Sequence, residues 1–294
     1  MTLSPGQRLA DAVRAAARVL EDAGVPSPRV DAELLAGHLL GVTPGRLRAL
    51  LLGDSTVPEG YFALVEERAR RVPLQHLTGR AYFRYLELQV GPGVFIPRPE
   101  TESVVQLVID ALATVERPKV VDLGTGSGAI AGSLAHEIPG AEVYAVELSA
   151  FAHAWAARNL APLGVKLIAG DFRDALPEHN GTFDAVVSNP PYVPSEAIPN
   201  EPEVALHDPP EALYGGGADG MELPTAAAAT AARLLKRGGY FVMEHAEVQS
   251  EWIAAMLERM GTWAEITTHL DLNGKERATS AVRATPAGNV PANL

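Results

Sequence analysis

Apolar residues recur at helical spacing along the first part of the chain and give way to short continuous apolar runs from about residue 119 onward. Leu9, Ala12, Val13, Ala16, Ala17 and Leu20 form one stripe, which Gly24 and Pro26 end. Val30, Leu34, Leu35 and Leu39 predict a second helix closed by Gly41, Pro44 to Leu52 a third, and Pro58 to Arg70 a fourth with Phe62, Val65 and Ala69 on one side. The glycines and prolines between them predict short antiparallel connections. Phe83, Tyr85, Leu86, Leu88 and Val90 then predict a strand, with Gly91-Pro92-Gly93 turning into Val94-Phe95-Ile96, a hairpin between two parts of the chain. After the stiff Pro97-Arg98-Pro99 segment, Thr101 is expected to cap a helix over Val104, Val105, Val108 and Ile109.

From Lys119 the pattern alternates. Strands are predicted at 119–124, 141–147, 165–170, 183–188 and 239–244. Helices are predicted near 128–137, 149–160, 224–236 and 247–259, and two late extended segments at 264–270 and 277–284. Strands apolar on both faces, alternating with helices, predict an α/β fold with a mainly parallel sheet covered on both sides. The division expected is a helical domain over 1–79, a β-hairpin linker over 80–96 and a catalytic domain over 97–294, its last ten residues a loose tail.

The chain has 294 residues, 47% of them apolar, enough for a real core. With no cysteine, disulfides, thiolate metal sites and cysteine nucleophiles are excluded. The net charge of -12 argues against a large phosphate-tracking surface, so no stable nucleic-acid partner is expected. Residues 1–79 hold nine arginines and nine acidic residues, which places the negative excess in the remainder. Neither a signal peptide nor an apolar run of membrane-spanning length is evident, so a cytoplasmic location is expected.

Candidate chemistry concentrates in two loops. The first is Asp122-Leu123-Gly124-Thr125-Gly126-Ser127-Gly128, between a strand and a helix. Its three glycines are expected to admit a ligand where any Cβ would collide. Their spacing also passes as a degenerate dinucleotide motif, so they are weak evidence alone. Asp122 either organises the loop or receives an ammonium group such as that of S-adenosylmethionine, whereas a pyrophosphate would gain little from a carboxylate there. Glu147, at the end of the next strand and about 20 residues on, suits a ribose diol. Asp171 is a candidate acceptor for an adenine amino group. Phe172 either stacks on the adenine ring or packs in the core.

The second loop is Asn189-Pro190-Pro191-Tyr192, at the carboxyl end of the strand Phe183–Ser188. Two prolines remove two donors and stiffen the turn. The Asn189 side-chain oxygen and the Pro190 carbonyl can accept both N–H bonds of a planar NH2 group, with Tyr192 against its flat face. That geometry suits glutamine, asparagine and adenine amines alike, and it assigns catalysis to Asn189, Pro190 and Tyr192. The long acidic segment 196–223 follows directly and is expected to form a wall or lid. Glu201, Glu203, His207 and Asp208 within it make a metal reading available, but nothing else supports one and no metal is expected. Glu244 and His245 end a strand and read equally as an acid–base pair or as supports of the sheet edge.

Taken together, Ile96-Pro97-Arg98-Pro99-Glu100-Thr101-Glu102, the Asp122–Gly128 loop, Asn189-Pro190-Pro191-Tyr192 and Ala212-Leu213-Tyr214-Gly215-Gly216 with Asp219-Gly220 resemble the bacterial peptide chain release factor glutamine methyltransferases over nearly the whole chain. The resemblance implies a class I S-adenosylmethionine-dependent methyltransferase, Rossmann-like, with a seven-stranded mostly parallel sheet, an N-terminal helical bundle and a hairpin linker. The bundle is expected to recognise substrate, as a small domain appended to a cofactor domain usually does, the alternative being that it only covers the catalytic face. It implies methylation of the side-chain amide of the glutamine in the Gly-Gly-Gln motif of release factors, with S-adenosylhomocysteine as product, by a protein expected to be a monomer. Cofactor contacts fall on Asp122, Gly124, Thr125, Gly126, Ser127, Gly128, Glu147, Asp171, Phe172 and Asn189. Substrate contacts fall on Asn189, Pro190, Pro191 and Tyr192. Glu147 stands where relatives often carry Asp, and Phe172 where many carry Trp. The rivals are a ribosomal protein L3 glutamine methyltransferase, an adenine amino methyltransferase of nucleic acid, a nucleotide-binding oxidoreductase and a non-enzymatic adaptor.

Overall fold

A computed structural model describes residues 6–285; the expected tail falls, apart from Thr285, outside them. The chain divides into two compact units.

The helical unit begins with α1 (Leu9–Asp22), α2 (Pro28–Leu40), α3 (Pro44–Leu52), α4 (Tyr61–Ala69) and α5 (Leu74–Thr78). The sequence signals do the expected work at the ends. Pro28 and Pro44 sit in the first turns of α2 and α3, Thr43 caps α3 by accepting from Arg46 N at 3.4 Å, and Gly41 ends α2 at φ +62°. Leu9, Val13, Leu20, Leu35, Tyr61 and Val65 are buried together as its core. The Tyr61 hydroxyl donates to the Ala32 carbonyl at 2.9 Å, and the buried Asp31 and Arg68 pair at 2.7 Å. The fifth helix lacks a stripe of its own and was not foreseen.

This unit also takes in Pro199–His207, which contains α9 (Pro202–His207). Glu203 accepts from Arg68 and Arg71, with Arg68 Nη2 at 2.8 Å and Arg71 Nε at 2.8 Å. Burial pushes the Glu203 carboxyl up, but its two arginines outweigh that and hold it down at about 2. The middle of the segment expected to be a lid is therefore fastened by charge.

The second unit opens with the hairpin β1 (Arg80–Phe83) and β2 (Leu86–Gln89). Its turn is Arg84-Tyr85, not Gly91–Gly93, and residues 94–96 form no strand, although Val94 and Ile96 are buried. Arg84 adopts φ +49° because its side chain is held on both oxygens of Glu137 at 2.6 Å while its backbone N donates to Glu102 at 3.0 Å. These charge-assisted bonds offset the left-handed backbone, and no local signal announces them.

Then follow α6 (Thr101–Ala111), β3 (Lys119–Leu123), α7 (Ala129–Glu137), β4 (Glu142–Glu147), α8 (Ala150–Leu160), β5 (Lys166–Ala169), β6 (Phe183–Ser188), α10 (Pro210–Leu213), α11 (Glu222–Leu234), β7 (Leu235–Glu244), α12 (Ser250–Met260), β8 (Trp263–Leu270) and β9 (Glu276–Arg283). The seven-stranded sheet has the order β5-β4-β3-β6-β7-β9-β8. Its first five strands are parallel, and β9 runs antiparallel to both neighbours. This is the class I methyltransferase arrangement. Val121, Val186 and Phe241 from the strands pack with Ala227, Leu234 and Leu257 from the helices in one core. Chain order reverses between β4-β3 and β3-β6, and such a switch point opens a crevice at the carboxyl ends of the strands. Both candidate loops leave the sheet there.

Candidate active site at the strand ends

The glycine loop leaves β3 under the control of Asp122. Its side chain is fully buried, and Oδ2 accepts from Thr125 Oγ1 at 2.6 Å and from Ala131 N at 3.2 Å. Burial pushes the carboxyl up to about 7 against those two bonds, with the Glu147 charge adding to the rise. Oδ1 has no partner among the described residues. A buried carboxylate oxygen left without a donor fits an incoming ammonium group.

The three glycines serve different ends. At Gly124 (φ +77°) and Gly126 (φ +57°) an added Cβ would meet nothing within 4 Å, so the space beside the loop is open for a ligand. At Gly128 (φ +86°) a Cβ would lie 2.8 Å from Leu160 Cγ. The expected collision of a Cβ with a ligand thus does not describe Gly128, which lets α7 pack on α8. Thr125 and Ser127 are buried, and the Ser127 carbonyl accepts from Asn159 Nδ2 at 2.9 Å. Asn159 also exchanges hydrogen bonds with the Gln89 backbone at 2.8 and 2.9 Å. This clamp was not visible in the sequence.

Glu147 at the end of β4 spends Oε2 on Gly126 N at 2.7 Å and Oε1 on Ser149 N at 2.8 Å. Desolvation raises its pKa in spite of these donors. With Leu148 also donating from its backbone, the carboxylate keeps one acceptor site for a hydroxyl. After β5, Asp171 is committed locally: Arg173 reaches both carboxylate oxygens, with Nε at 2.9 Å from each, and holds the carboxyl below its usual range. An adenine amino group would have to share that acceptor. Phe172 is 8% exposed and packs in the core with Tyr144 and Val146.

The Asn189–Tyr192 turn is anchored at both ends. Ser188 Oγ donates to the Leu123 carbonyl at 2.7 Å and joins the end of β6 to the end of β3. Tyr192 N and Val193 N both donate to the Leu213 carbonyl, at 3.1 and 2.8 Å, and Gly215 N donates back to the Val193 carbonyl at 3.0 Å. The chain runs so close here that a Cβ at Gly215 would lie 2.6 Å from the Pro191 carbonyl oxygen. Gln249 Nε2 donates to the Tyr192 carbonyl at 2.8 Å and to that of Asp219 at 3.1 Å. So residues 208–223 brace the turn as a wall. Pro190 is buried, and none of the described residues donates to its carbonyl. Desolvation raises the Tyr192 phenol well above its usual pKa, and the charges of Glu244, Arg277, Glu100 and Arg98 surround it.

Asn189 turns its Nδ2 toward Thr101 Oγ1 at 3.4 Å. Thr101 does not cap α6 as expected; the N-cap residue is Glu100, without a side-chain cap bond. Glu244, 2% exposed, lies against both Thr101 and Asn189. His245, which follows β7, is fully buried and bonded to Thr279 of β9 at 2.8 Å and to the Ala246 carbonyl at 2.9 Å, a support at the strand ends. Arg98 pairs with Asp208 at 2.7 Å. Among the described residues no group of three or more His, Cys, Asp or Glu is arranged to hold a metal, and no helix is long and apolar enough to cross a membrane.

Known proteins with this sequence pattern narrow the chemistry. The family model described as PrmC N-terminal domain matches residues 11–79, and that described as methyltransferase small domain matches 86–218. The release factor glutamine methyltransferase of Streptomyces coelicolor is 49% identical over 281 residues, 95% of this chain and 99% of its own. That of Bifidobacterium longum is 44% identical over 292 residues, 93% of this chain and 99% of its own. A 4-amino-L-phenylalanine/4-methylamino-L-phenylalanine methyltransferase of Streptomyces pristinaespiralis is 39% identical over 272 residues, 90% of this chain and 92% of its own. With sheet, loops and near full-length identity in agreement, the chain belongs to the release factor glutamine methyltransferase family.

Proposed function

We propose that this protein methylates the side-chain amide nitrogen of the glutamine in the Gly-Gly-Gln motif of peptide chain release factors, using S-adenosylmethionine. The observation that carries the reading is the braced Asn189–Tyr192 turn beside an open glycine loop on neighbouring strand ends. When bound, the cofactor supplies an electrophilic methyl group on a positively charged sulfur.

The residues of this chain supply position. Asp122 Oδ1 takes the ammonium end, the Gly124–Gly128 backbone lies along the ligand, and Glu147 takes a ribose hydroxyl. Asn189 Oδ1 and the Pro190 carbonyl accept the two N–H bonds of the glutamine amide, and Tyr192 lies against its plane. An amide nitrogen shares its lone pair with its carbonyl, and losing that overlap fully costs about 18 kcal/mol. Two fixed acceptors align the nitrogen and polarise its N–H bonds, so only part of that cost falls in the barrier. As the nitrogen gains carbon it becomes acidic and loses one proton toward these acceptors and water. No strong general base is required.

The helical unit is assigned to recognition of the protein substrate. The protein works as a monomer in the cytoplasm, without a nucleic-acid partner. Unmodified release factor incubated with the protein and S-adenosylmethionine should gain a single methyl group on the Gly-Gly-Gln glutamine, read by peptide mass mapping. Label appearing only in ribosomal protein, in nucleic acid or in an aromatic amine would reject the substrate assignment. The aromatic-amine arm is included because the Streptomyces pristinaespiralis relative is named for such a compound.

A further inference from the structure

A carboxamide has an accepting end and a donating end of nearly the same shape. A turn built to accept two N–H bonds works only if Asn189 presents its oxygen, because its NH2 group would meet another donor. Nothing in the turn itself decides which way the amide faces. The decision comes from outside it, from α6 and the end of β7.

Asn189 Nδ2 points to Thr101 Oγ1 at 3.4 Å. Both side chains act as donors toward Glu244. A threonine hydroxyl has one proton. If that proton goes to Glu244, the oxygen can only accept, and it can hold only the NH2 end of Asn189. An ionised carboxylate accepts and never donates, so Glu244 holds the NH2 end of Asn189 by two routes: it accepts one N–H bond directly, and the Thr101 oxygen, whose proton points to Glu244, accepts the other. The 3.4 Å separation is long, as catalytic hydrogen bonds often are before substrate is seated. Glu244 is 2% exposed, and its Oε2 has no partner among the described residues. A buried carboxylate beside the reaction turn is expensive to keep unless it has a task.

We propose that Glu244, directly and through Thr101, fixes the orientation of the Asn189 carboxamide and is thereby a positioning residue for methyl transfer. This rests on the methyl-transfer reading above. The charged groups facing Glu244 are Arg277 from β9 and Glu100 from the start of α6, and the neutral Tyr192 phenol borders the same space. Protonated Glu244 can itself donate to Thr101, which then has its proton free for the Asn189 oxygen, and the amide can turn over. Burial places that proton near neutrality, with Thr101, Arg277 and Asn189 opposing and Glu100 adding to the rise. Activity should therefore climb as Glu244 ionises.

The test uses the full chain with Glu244→Gln, Thr101→Val and Thr101→Ser. In Glu244→Gln kcat should fall about 10- to 100-fold, the scale of a misoriented catalytic group, and in Thr101→Val by a smaller factor because the direct bond to Glu244 remains, with the affinity for S-adenosylmethionine kept in both. Thr101→Ser, which restores the hydroxyl, should return kcat to within about threefold of the parent. The rise of kcat with pH through neutrality should be present in the parent and absent in Glu244→Gln. A second readout needs no substrate. In protein labelled with nitrogen-15 at asparagine, the Asn189 NH2 resonances, assigned by their loss in Asn189→Asp, should show slow hydrogen exchange in the parent and Thr101→Ser and faster exchange in the other two. Identical exchange in all variants would overturn the proposal even if the substrate proved to be another amine. Failure of the parent to methylate release factor, with the exchange pattern as expected, would reject the substrate and leave the positioning role standing.

Discussion

At the residue scale, look-alike residues carry different burdens. Gly126 and Gly128 both adopt positive φ, but only Gly128 faces a wall, Leu160. Gly128→Ala should lose about 2 kcal/mol or more of stability from the clash and the left-handed backbone, lowering Tm by roughly 5 °C. Gly126→Ala should be milder on Tm and should weaken S-adenosylmethionine binding instead, because its Cβ enters the open ligand space. Calorimetry for binding and thermal unfolding for stability separate the two, and equal effects on both would remove the distinction. Asn189→Ala should fold normally while losing at least about 100-fold in kcat at saturating cofactor, since one of two acceptors is gone. Near-parental turnover would remove Asn189 from the reaction. The Asn189 loop was legible in the sequence because two prolines after an apolar strand are a local signal. Asp171 and Phe172 were legible only as residue types: the structure adds the Arg173 ion pair to the first and core neighbours to the second.

At the element scale, local chemistry placed most helices and strands, and long-range contacts revised the rest. Thr43 and Gly41 bound their helices as their types require. The hairpin turn was misplaced because Arg84 accepts a left-handed backbone in return for Glu137 and Glu102, residues far along the chain. Residues 196–223 look like one acidic loop in the sequence, but they divide: 199–207 joins the helical unit through Glu203, and 208–223 braces the Asn189 turn. Against the upward push of burial, Arg71 and Arg68 hold the folded Glu203 carboxyl down at about 2, below the ordinary glutamate value of 4.5. Its contribution to stability is therefore fully present above about pH 4.5 and lost as pH falls toward about 2. Glu203→Gln should lower Tm at neutral pH, and the gap to the parent should close on acidification below about pH 4.5. A gap that stayed constant with pH would show that the ion pairs contribute nothing.

At the scale of the whole molecule, the buried acids of the strand ends give the protein an unusual pH response. Burial pushes the folded Asp122 carboxyl up to about 7, from an ordinary aspartate value of 3.8. The folded state holds that proton longer than the unfolded chain does. The stability it contributes is present in full below about pH 4 and lost as pH rises through about 7. Asp122→Asn keeps an acceptor for Thr125 and removes the titration. The parent's stability relative to this variant should fall between about pH 4 and about pH 7 and level off above, read by urea unfolding of the cofactor-free protein. A difference independent of pH would place the Asp122 proton elsewhere. Glu147 and Glu244 shift in the same direction, so the strand-end face as a whole is strained by desolvation, as a site awaiting a cationic ligand would be.

The sequence by itself determined the α/β alternation, the parallel sheet and the two loops at its switch point, because hydrophobic period, glycine and proline act over a few residues. Only the tertiary structure decided which buried polar groups meet. Thr101 and Asn189 are 88 positions apart, Gln249 and Tyr192 57, Asn159 and Gln89 70. Each pairing arises because a polar atom removed from water must find a partner in whatever the completed fold brings near, and no local spacing encodes that choice.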